Sequence, residues 1–224
     1  MNHPKKIFLL SALIIAAITN TCAQFPRFSL STGLDVQRNF KKEQRFWAFG
    51  HFTQANFHLT PKDGIYVWFC YYSDGNVKNQ LSATAKLPAT IPQQIGYQNN
   101  AEIRFKHFSI GYKKYIKGAP DAEKRWNLYA NAGLGLMLGR VNNTHSLLID
   151  TATYNMPVLS GKANFKRLTL DLGLGAEYPL GSDFYLYGEA KALVPTTDYP
   201  SGYLFINDKA PFAAMLGLGL RLLF

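Results

Sequence analysis

A histidine and a serine two positions apart, His107 and Ser109, are the residues of this chain whose types and spacing could support catalysis. Side chains two positions apart on a β-strand share one face, so the imidazole could remove the serine proton and create a nucleophile. A working pair also needs a carboxylate that orients the histidine, and the sequence does not identify one. We therefore interpret the pair as ordinary strand residues and predict that the protein is not an enzyme.

A second group with chemical potential is a set of charged residues on the polar faces of predicted strands. Its members are five acids and four bases: Asp35, Glu102, Asp171, Glu177 and Glu189, with Arg104, Lys106, Lys191 and Arg221. A buried charge is costly unless it is paired, so this near-balance predicts a lumen charge network that fills the interior of a barrel. The alternative is a path for protons or ions through the carboxylates. We favour the filled lumen, which argues against a diffusion pore.

Histidine spacing and net charge limit the remaining ligands. His51, His58 and His145 are scattered and lack metal-ligand spacing, so we expect neither a metal nor another cofactor. The formal net charge of +10 would suit nucleic acid, but Lys5 and Lys6 before an apolar run predict export, and an exported chain should not meet that partner. Lipopolysaccharide phosphates or acidic glycans are the expected anions, and the basic segment 41–45 could contact them.

Eight segments of alternating apolar and polar side chains position these residues, and this period of two predicts β-strands. The segments are residues 27–38, 46–59, 65–73, 101–116, 126–139, 168–178, 184–194 and 212–224. In the fourth segment, the charged residues at 102, 104 and 106 share a parity with Phe108, Ile110 and Tyr112. This switch of polarity predicts a β-bulge near His107 that turns the charged residues to the opposite face.

The N-terminus predicts export from the cytoplasm. Two lysines precede a short apolar run, and Thr21, Cys22 and Ala23 form a small-residue cleavage site, so residues 1–23 are a predicted cleaved signal peptide. Residues 24–224 are then a single domain. The apolar run is shorter than the roughly 20 residues that a helical span needs, and no later segment resembles a span. A closed β-barrel is the remaining way to cross a membrane.

These features predict an all-β fold, an eight-stranded antiparallel transmembrane β-barrel. The export signal, the glycines on the polar strand faces and the aromatic residues at one set of strand ends favour a membrane barrel over a soluble, lipocalin-like one. The aromatic residues are Phe28, Phe57, Tyr115, Trp126, Tyr178, Phe184 and Phe224. Short and long connections alternate along the chain. The short ones are 60–64, 117–125 and 179–183, and the long ones are 75–100, 141–163 and 195–211. The connection 39–45 is an exception, because it is short where the alternation expects a long loop. This alternation predicts periplasmic termini and extracellular long loops.

The chain resembles the small outer-membrane barrels of the OmpX and OmpA type, and more narrowly the small outer-membrane β-barrel proteins of Bacteroidota. The resemblance rests on Ala23-Gln24 at the cleavage site, the eight-strand pattern and the terminal sequence Gly-Leu-Arg-Leu-Leu-Phe. It implies an outer-membrane location and insertion by the barrel-assembly machinery, with Gly219, Leu222 and Phe224 in the recognition signal. It says little about activity, because such folds host many functions.

Two shorter resemblances concern modification chemistry. His107-Phe108-Ser109 is similar to the His-x-Ser arrangement of lipid A deacylases, whose histidine and serine face the lipid. This chain continues with Ile110 and Gly111 where that family has asparagine. Asp150-Thr151-Ala152 resembles the O-glycosylation motif of Bacteroidota, which makes Thr151 a candidate glycosylation site.

The leading functional prediction is a non-enzymatic outer-membrane barrel with a side-chain-filled lumen. It would act in envelope integrity, adhesion or surface interaction through its extracellular loops. The alternative is an accessory subunit of an envelope secretion or assembly machine, similar to PorT-like proteins, although no PorT-specific motif is present. A lipid A-modifying hydrolase is the third hypothesis. The expected partners are outer-membrane lipids, lipopolysaccharide, the barrel-assembly machinery and, under the alternative, an envelope protein.

Overall fold

Eight long antiparallel strands close into a barrel. The computed structural model describes residues 27–40, 45–196 and 212–224. The strands are β1 (Arg27–Asn39), β2 (Trp47–His58), β3 (Asp63–Ala85), β4 (Gln94–Lys117), β5 (Asn127–His145), β6 (Tyr154–Asn155), β7 (Gly161–Gly181), β8 (Phe184–Pro195) and β9 (Ala213–Leu223). Each long strand pairs with its neighbour along the chain, β9 returns to β1, and the two-residue β6 pairs with the end of β3. No helix among the described residues is long and apolar enough to span a membrane.

The seam between the first and last strands closes through two facing glycines. Gly33 of β1 is the register partner of Gly219 of β9. A Cβ atom added to Gly33 would lie 2.6 Å from the Gly219 Cα and 2.6 Å from the Phe52 ring. Only glycine therefore lets the two backbones and the interior ring approach this closely.

The outer surface carries a continuous apolar band. Leucines on the outside of neighbouring strands are strongly exposed, as Leu134 (66%), Leu174 (63%) and Leu218 (62%) illustrate. An apolar surface of this extent is unusual on a soluble monomer and is the outer face that a membrane barrel presents to lipid. We call the band's two ends the turn end, where the connections 59–62, 118–126 and 182–183 lie, and the loop end, which is opposite.

Aromatic side chains surround the turn end of the band. Phe28 packs against Phe57 and Phe224 at centroid distances of 5.2 Å and 5.8 Å, and Trp126 packs against Tyr178 at 5.0 Å. Aromatic residues at this level form the interfacial girdle of a membrane barrel. The prediction is wrong for one of the seven aromatic residues, Tyr115, which is 2% exposed and points into the lumen instead of joining the girdle.

One side of the barrel rises far above the other at the loop end. β3 and β4 contain 23 and 24 residues, whereas β2 and β9 contain 12 and 11. At about 3.3 Å per residue, the extra residues add roughly 40 Å along the strand. The predicted loop 75–100 is therefore mostly a strand pair, which we call the projecting hairpin (residues 75–103). Its inner face has a small core of its own around Ala83, Tyr97 and Tyr154.

The predicted bulge in the fourth strand is also wrong. The pairing between β4 and β5 runs without a shift from Asn99 to Tyr115, so His107 lies in a regular ladder. The register shift of this region lies instead in β3, between Tyr72 and Gly75, at the base of the projecting hairpin. Bulges are common at barrel rims, where they bend the strand and increase its twist.

Candidate functional site

The lumen near the turn end is organised around one buried carboxylate, Glu177 of β7. The Lys113 ammonium of β4 lies 2.7 Å from Oε1 of Glu177, and the Arg221 guanidinium of β9 lies 3.0 Å from Oε2. The Tyr115 hydroxyl donates to Oε2 of Glu177 at 3.1 Å, and Arg221 also donates to the Pro120 carbonyl at 2.7 Å. Strands on opposite walls are thus joined by charge-assisted hydrogen bonds, which stabilise a closed interior.

A second charged group lies at mid-height. Glu189 and Lys191 lie two positions apart on β8 and therefore share the inward face, where their Oε1 and Nζ atoms are 2.6 Å apart. Tyr129 and Asn131 of β5 both donate to Oε2 of Glu189 at 2.8 Å. The Lys191 ammonium also lies 4.2 Å from the Trp68 ring centroid, a cation–π distance.

Two further carboxylates have neutral or histidine partners. Asp171 lies 3.1 Å from Nε2 of His107 and accepts a 2.6 Å hydrogen bond from the Thr169 hydroxyl. Asp35, on the opposite wall, accepts hydrogen bonds from the Tyr72 hydroxyl at 3.0 Å and the Cys70 thiol at 3.2 Å.

Apolar side chains fill the lumen at the loop end. Phe46, Phe105, Phe165 and Leu193 are buried there in one contiguous cluster. The cavity that they border is about 20 Å³, which is space for about one water molecule. Buried charged, polar and apolar side chains therefore fill the lumen of the described part of the barrel, and this filling argues against a channel for a diffusing solute.

The structure places six predicted members of the lumen charge network inside the barrel. They are Asp35, Asp171, Glu177, Glu189, Lys191 and Arg221. The prediction is wrong for Glu102, Arg104 and Lys106, which are exposed on the outer wall. The three residues lie on the same outward face as Phe108, but above the apolar band. The polarity of β4 changes with height along one face, and in the sequence this change gives the same pattern as a change of face.

Sequence reasoning missed two interior cations, Lys113 and Arg167, which are 1% and 3% exposed. Without the assumed bulge, the odd positions of β4 point inward throughout, and this parity identifies Lys113. Arg167 lay outside the sixth predicted segment, because β7 begins several residues earlier than the alternation suggested. With these corrections, the buried interior of the described residues holds four carboxylates and four Lys or Arg side chains.

The predicted catalytic pair also has a different location from the one that its resemblance implies. His107 and Ser109 are 0% and 2% exposed and point into the lumen, not toward lipid. The structure does supply the carboxylate that the sequence did not identify, since Asp171 contacts His107. However, the Ser109 hydroxyl lies within hydrogen-bond distance of Tyr66, at 3.4 Å, in a filled interior. A lipid substrate outside the barrel cannot reach this serine.

The remaining predicted residues lie at the two ends of the barrel. Gly219 and Leu222 are in β9, and Phe224 follows it, with its amide donating to the Phe28 carbonyl at 2.8 Å. Thr151 is exposed at the loop end, and its carbonyl accepts a hydrogen bond from Lys86 at 2.7 Å.

The turn around Thr151 is held by Asp150. This carboxylate accepts hydrogen bonds from the Thr153 hydroxyl at 2.6 Å and the Ala152 amide at 2.9 Å, and these bonds lower the pKa of Asp150. The predicted signal peptide 1–23 and two basic residues of the first loop, Lys41 and Lys42, lie outside the described residues.

Comparison with known proteins gives likeness in structure but not in sequence. No family model matches the chain, and no curated protein matches it significantly. Neisserial surface protein A superposes with a TM-score of 0.57 at 11% identity, covering 88% of this chain and 97% of that one. A major outer-membrane protein of Thermus thermophilus gives 0.53 at 14% identity, with coverage of 88% and 98%.

A third solved structure is that of Ail, the attachment invasion locus protein of Yersinia pestis. It superposes with a TM-score of 0.50 at 11% identity, covering 89% of this chain and 99% of that one. At these identities the likeness concerns the fold alone. The chain therefore has the fold of the small eight-stranded outer-membrane barrels, and the predicted eight-stranded transmembrane barrel is confirmed.

Proposed function

We propose that this chain is a non-enzymatic outer-membrane protein that presents the projecting hairpin as a surface for interaction outside the cell. The observation that carries the proposal is the contrast between the two ends of the barrel. The lumen is filled, which argues against transport, whereas β3 runs on past Ser73, its last partner on β2, to Ala85 and pairs there with β4 in a packed structure. A strand pair with its own core is an ordered platform rather than a connecting loop.

The proposed orientation has both termini and the turn end in the periplasm, and the projecting hairpin outside. Short periplasmic turns and long extracellular connections are the usual asymmetry of bacterial outer-membrane barrels. An epitope inserted at Thr90 should bind antibody on intact cells. The matched epitope inserted at Ala122, in a turn-end connection, should bind antibody only after the outer membrane is permeabilised. The reverse pattern would overturn the orientation.

The tip of the tall side exposes apolar side chains that a partner could cover. Leu148 and Ile91 are 104% and 91% exposed, and Leu147 and Leu87, in the same two connections of the loop end, are also exposed. Exposed apolar clusters outside the membrane band are typical of interaction sites. The name of the Yersinia pestis protein refers to attachment, and this supports adhesion as the form of interaction that we favour.

Replacement of the tip leucines tests the interaction surface. The variant Leu147→Ser/Leu148→Ser should reduce adhesion of cells that express the protein, while Leu59→Ser, an exposed leucine at the turn end, should not. Equal adhesion of cells expressing the wild type, both variants or no protein would refute adhesion. In the same strains, a crosslinked pull-down that captures a stoichiometric envelope protein would favour the alternative, an accessory subunit of an envelope machine. The narrower origin in Bacteroidota stays a prediction.

Two measurements test the filled lumen and the absence of catalysis. The purified barrel in a planar bilayer should show no steady open conductance, because charged and apolar side chains occupy its interior. Lipid A mass spectra should be identical for cells that express the wild type, His107→Ala or Ser109→Ala. Steady conductance would refute the filled lumen, and a lipid A mass change lost in both variants would refute the non-enzymatic assignment.

A further inference from the structure

A basic groove lies on the outer wall of the barrel, immediately above the apolar band. Its volume is about 720 Å³, and β4, β5 and β7 form its floor. Five cationic side chains line it: Arg104, Lys106, Arg140, Lys162 and Lys166. Glu102 is the one carboxylate among the described residues of the lining. The excess of positive charge makes the groove a candidate site for an anion.

Strand register brings these cations together. Arg104 of β4 is the register partner of Arg140 of β5, and Leu138, two positions before Arg140, pairs with Lys106 on one side and Lys166 on the other. Neighbouring strands are about 4.8 Å apart, so the cationic groups of three strands face one space roughly 10 Å wide. Like charges directly opposite each other on a sheet are destabilising, so the arrangement has a cost that a bound anion would offset.

The chain itself does not supply that anion among the described residues. All ion pairs formed between described residues lie in the lumen or at the turn end, and none includes the five cations of the groove. The lumen cations Lys113 and Arg221, by contrast, both contact Glu177. The cations of the outer wall are thus available to an external ligand.

The position of the groove relative to the apolar band indicates the kind of anion. One row nearer the turn end, Phe108, Leu136 and Leu168 lie side by side in register and are exposed on the outer wall. A ligand in the groove therefore meets cations with its upper part and exposed apolar side chains with its lower part. A lipid with a phosphorylated head group and acyl chains has this division of polarity.

We propose that the groove binds a phosphorylated glycolipid of the lipid A type. Arg104 and Arg140 would hold a phosphate through bidentate guanidinium contacts, and Lys166 would bind a phosphate on the far side of the groove. The acyl chains would lie over Phe108 and Leu136. A span of three strands suits a broad head group with more than one phosphate better than a phospholipid with one. The inference deepens the proposed function, since it rests on the loop end lying in the outer leaflet.

Titration of the refolded barrel in detergent micelles tests the proposal. The probes are lipid A with two phosphates, lipid A with one phosphate, its phosphate-free form and phosphatidylglycerol, with bound lipid counted by native mass spectrometry. The wild type should bind the lipid A with two phosphates most tightly. The variant Arg104→Gln/Arg140→Gln/Lys166→Gln should bind it roughly a hundredfold more weakly, at about fivefold for each cation removed near an anionic lipid.

The matched control removes three exposed cations at the turn end, with Lys114→Gln/Lys117→Gln/Lys124→Gln. It changes the net charge equally and should leave lipid A binding unchanged. Refolding of each variant is judged by heat-modifiable gel mobility. If the triple variant refolds poorly, the single variant Arg140→Gln replaces it, with a smaller expected loss of lipid A binding. Equal weakening in the control and the groove variant would show that net charge, and not the groove, governs binding, and would overturn the proposal.

The probe series separates the remaining outcomes. If the phosphate-free lipid binds as tightly as lipid A with two phosphates, the cations have no role in binding. If phosphatidylglycerol binds as tightly as lipid A with two phosphates, the choice of lipid A is overturned. The micelle assay is independent of location in the cell, so it can fail while the epitope tags support the proposed orientation. Conversely, the lipid could bind tightly and depend on the groove while the epitopes show the reverse pattern of antibody binding. That result would refute the proposed orientation but not binding of lipid A by the groove.

Discussion

Replacement of Glu177 by glutamine should destabilise the barrel more than replacement of either cation that contacts it. Glu177 faces Lys113 at 2.7 Å and Arg221 at 3.0 Å, and all three side chains are buried. Glu177→Gln leaves two buried cations facing each other without their carboxylate. Removal of one partner from a buried ion pair costs about 3–5 kcal/mol, so we expect a loss in this range for the free energy of unfolding.

The cation side of the cluster should respond differently. Lys113→Met removes one of two positive charges and leaves Glu177 paired with Arg221, so its cost should be smaller, about 1–3 kcal/mol. The double variant Lys113→Met/Glu177→Gln leaves one buried cation instead of two. Its destabilisation should therefore fall short of the sum of the single variants, by about 1–3 kcal/mol of coupling.

Equilibrium unfolding by urea in lipid vesicles, followed by the fluorescence of tryptophan residues including the buried Trp68, measures these values. Glu102→Gln is the matched control, because that carboxylate lies exposed on the outer wall, and its effect should stay within about 0.5 kcal/mol. The reasoning is refuted if Glu177→Gln costs less than about 1 kcal/mol, or if Lys113→Met costs as much as Glu177→Gln.

Three further substitutions examine other parts of the molecule. Gly135→Val should prevent refolding, because a Cβ atom at Gly135 would lie 2.7 Å from Asp171 Oδ2. Gly96→Val should refold normally, because a Cβ atom at Gly96 would have nothing within 4 Å. Equal refolding yields for the two variants would contradict this reasoning. Leu170→Arg, in the apolar band, should lower the free energy of unfolding in vesicles by about 2–4 kcal/mol. Asn164→Arg, above the band, should lower it by less than about 1 kcal/mol. Similar losses for the two variants would argue against the position assigned to the band. If Thr151 carries a glycan, Thr151→Ala should remove a mass increment from the intact protein, and an unchanged mass spectrum would exclude that site.

The regular strands could be predicted because their alternation is strong and local. On β5 and β7, leucines recur at every second position, from Leu134 to Leu138 and from Leu168 to Leu174, and each gap holds a glycine, Met137 or a polar residue. A period of two identifies a strand, and glycines on the polar face indicate an interior too narrow for large side chains. For these strands the sequence alone determined both the element and the face.

The fourth strand could not be oriented in the same way. Alternation records the surroundings of a side chain, and an outward face has two kinds of surroundings: lipid within the band and water or head groups above it. The charged residues at 102, 104 and 106 therefore looked like interior residues, although they share the outer wall with Phe108. Only the register with β5, which pairs Arg104 with Arg140 and Phe108 with Leu136, decides the face.

For a related reason, the sequence could not predict which charged residues form ion pairs within the lumen. Lys113, Glu177 and Arg221 lie on three strands and are separated by up to 108 positions, and their meeting depends on barrel closure and strand register. The sequence by itself determined that the chain forms an eight-stranded barrel with a polar, glycine-rich interior, because local side-chain periodicity encodes these properties. The tertiary structure alone decided which charges are paired in the interior and which form a basic groove outside. That choice depends on the height of each residue relative to the apolar band, and local alternation does not record this height.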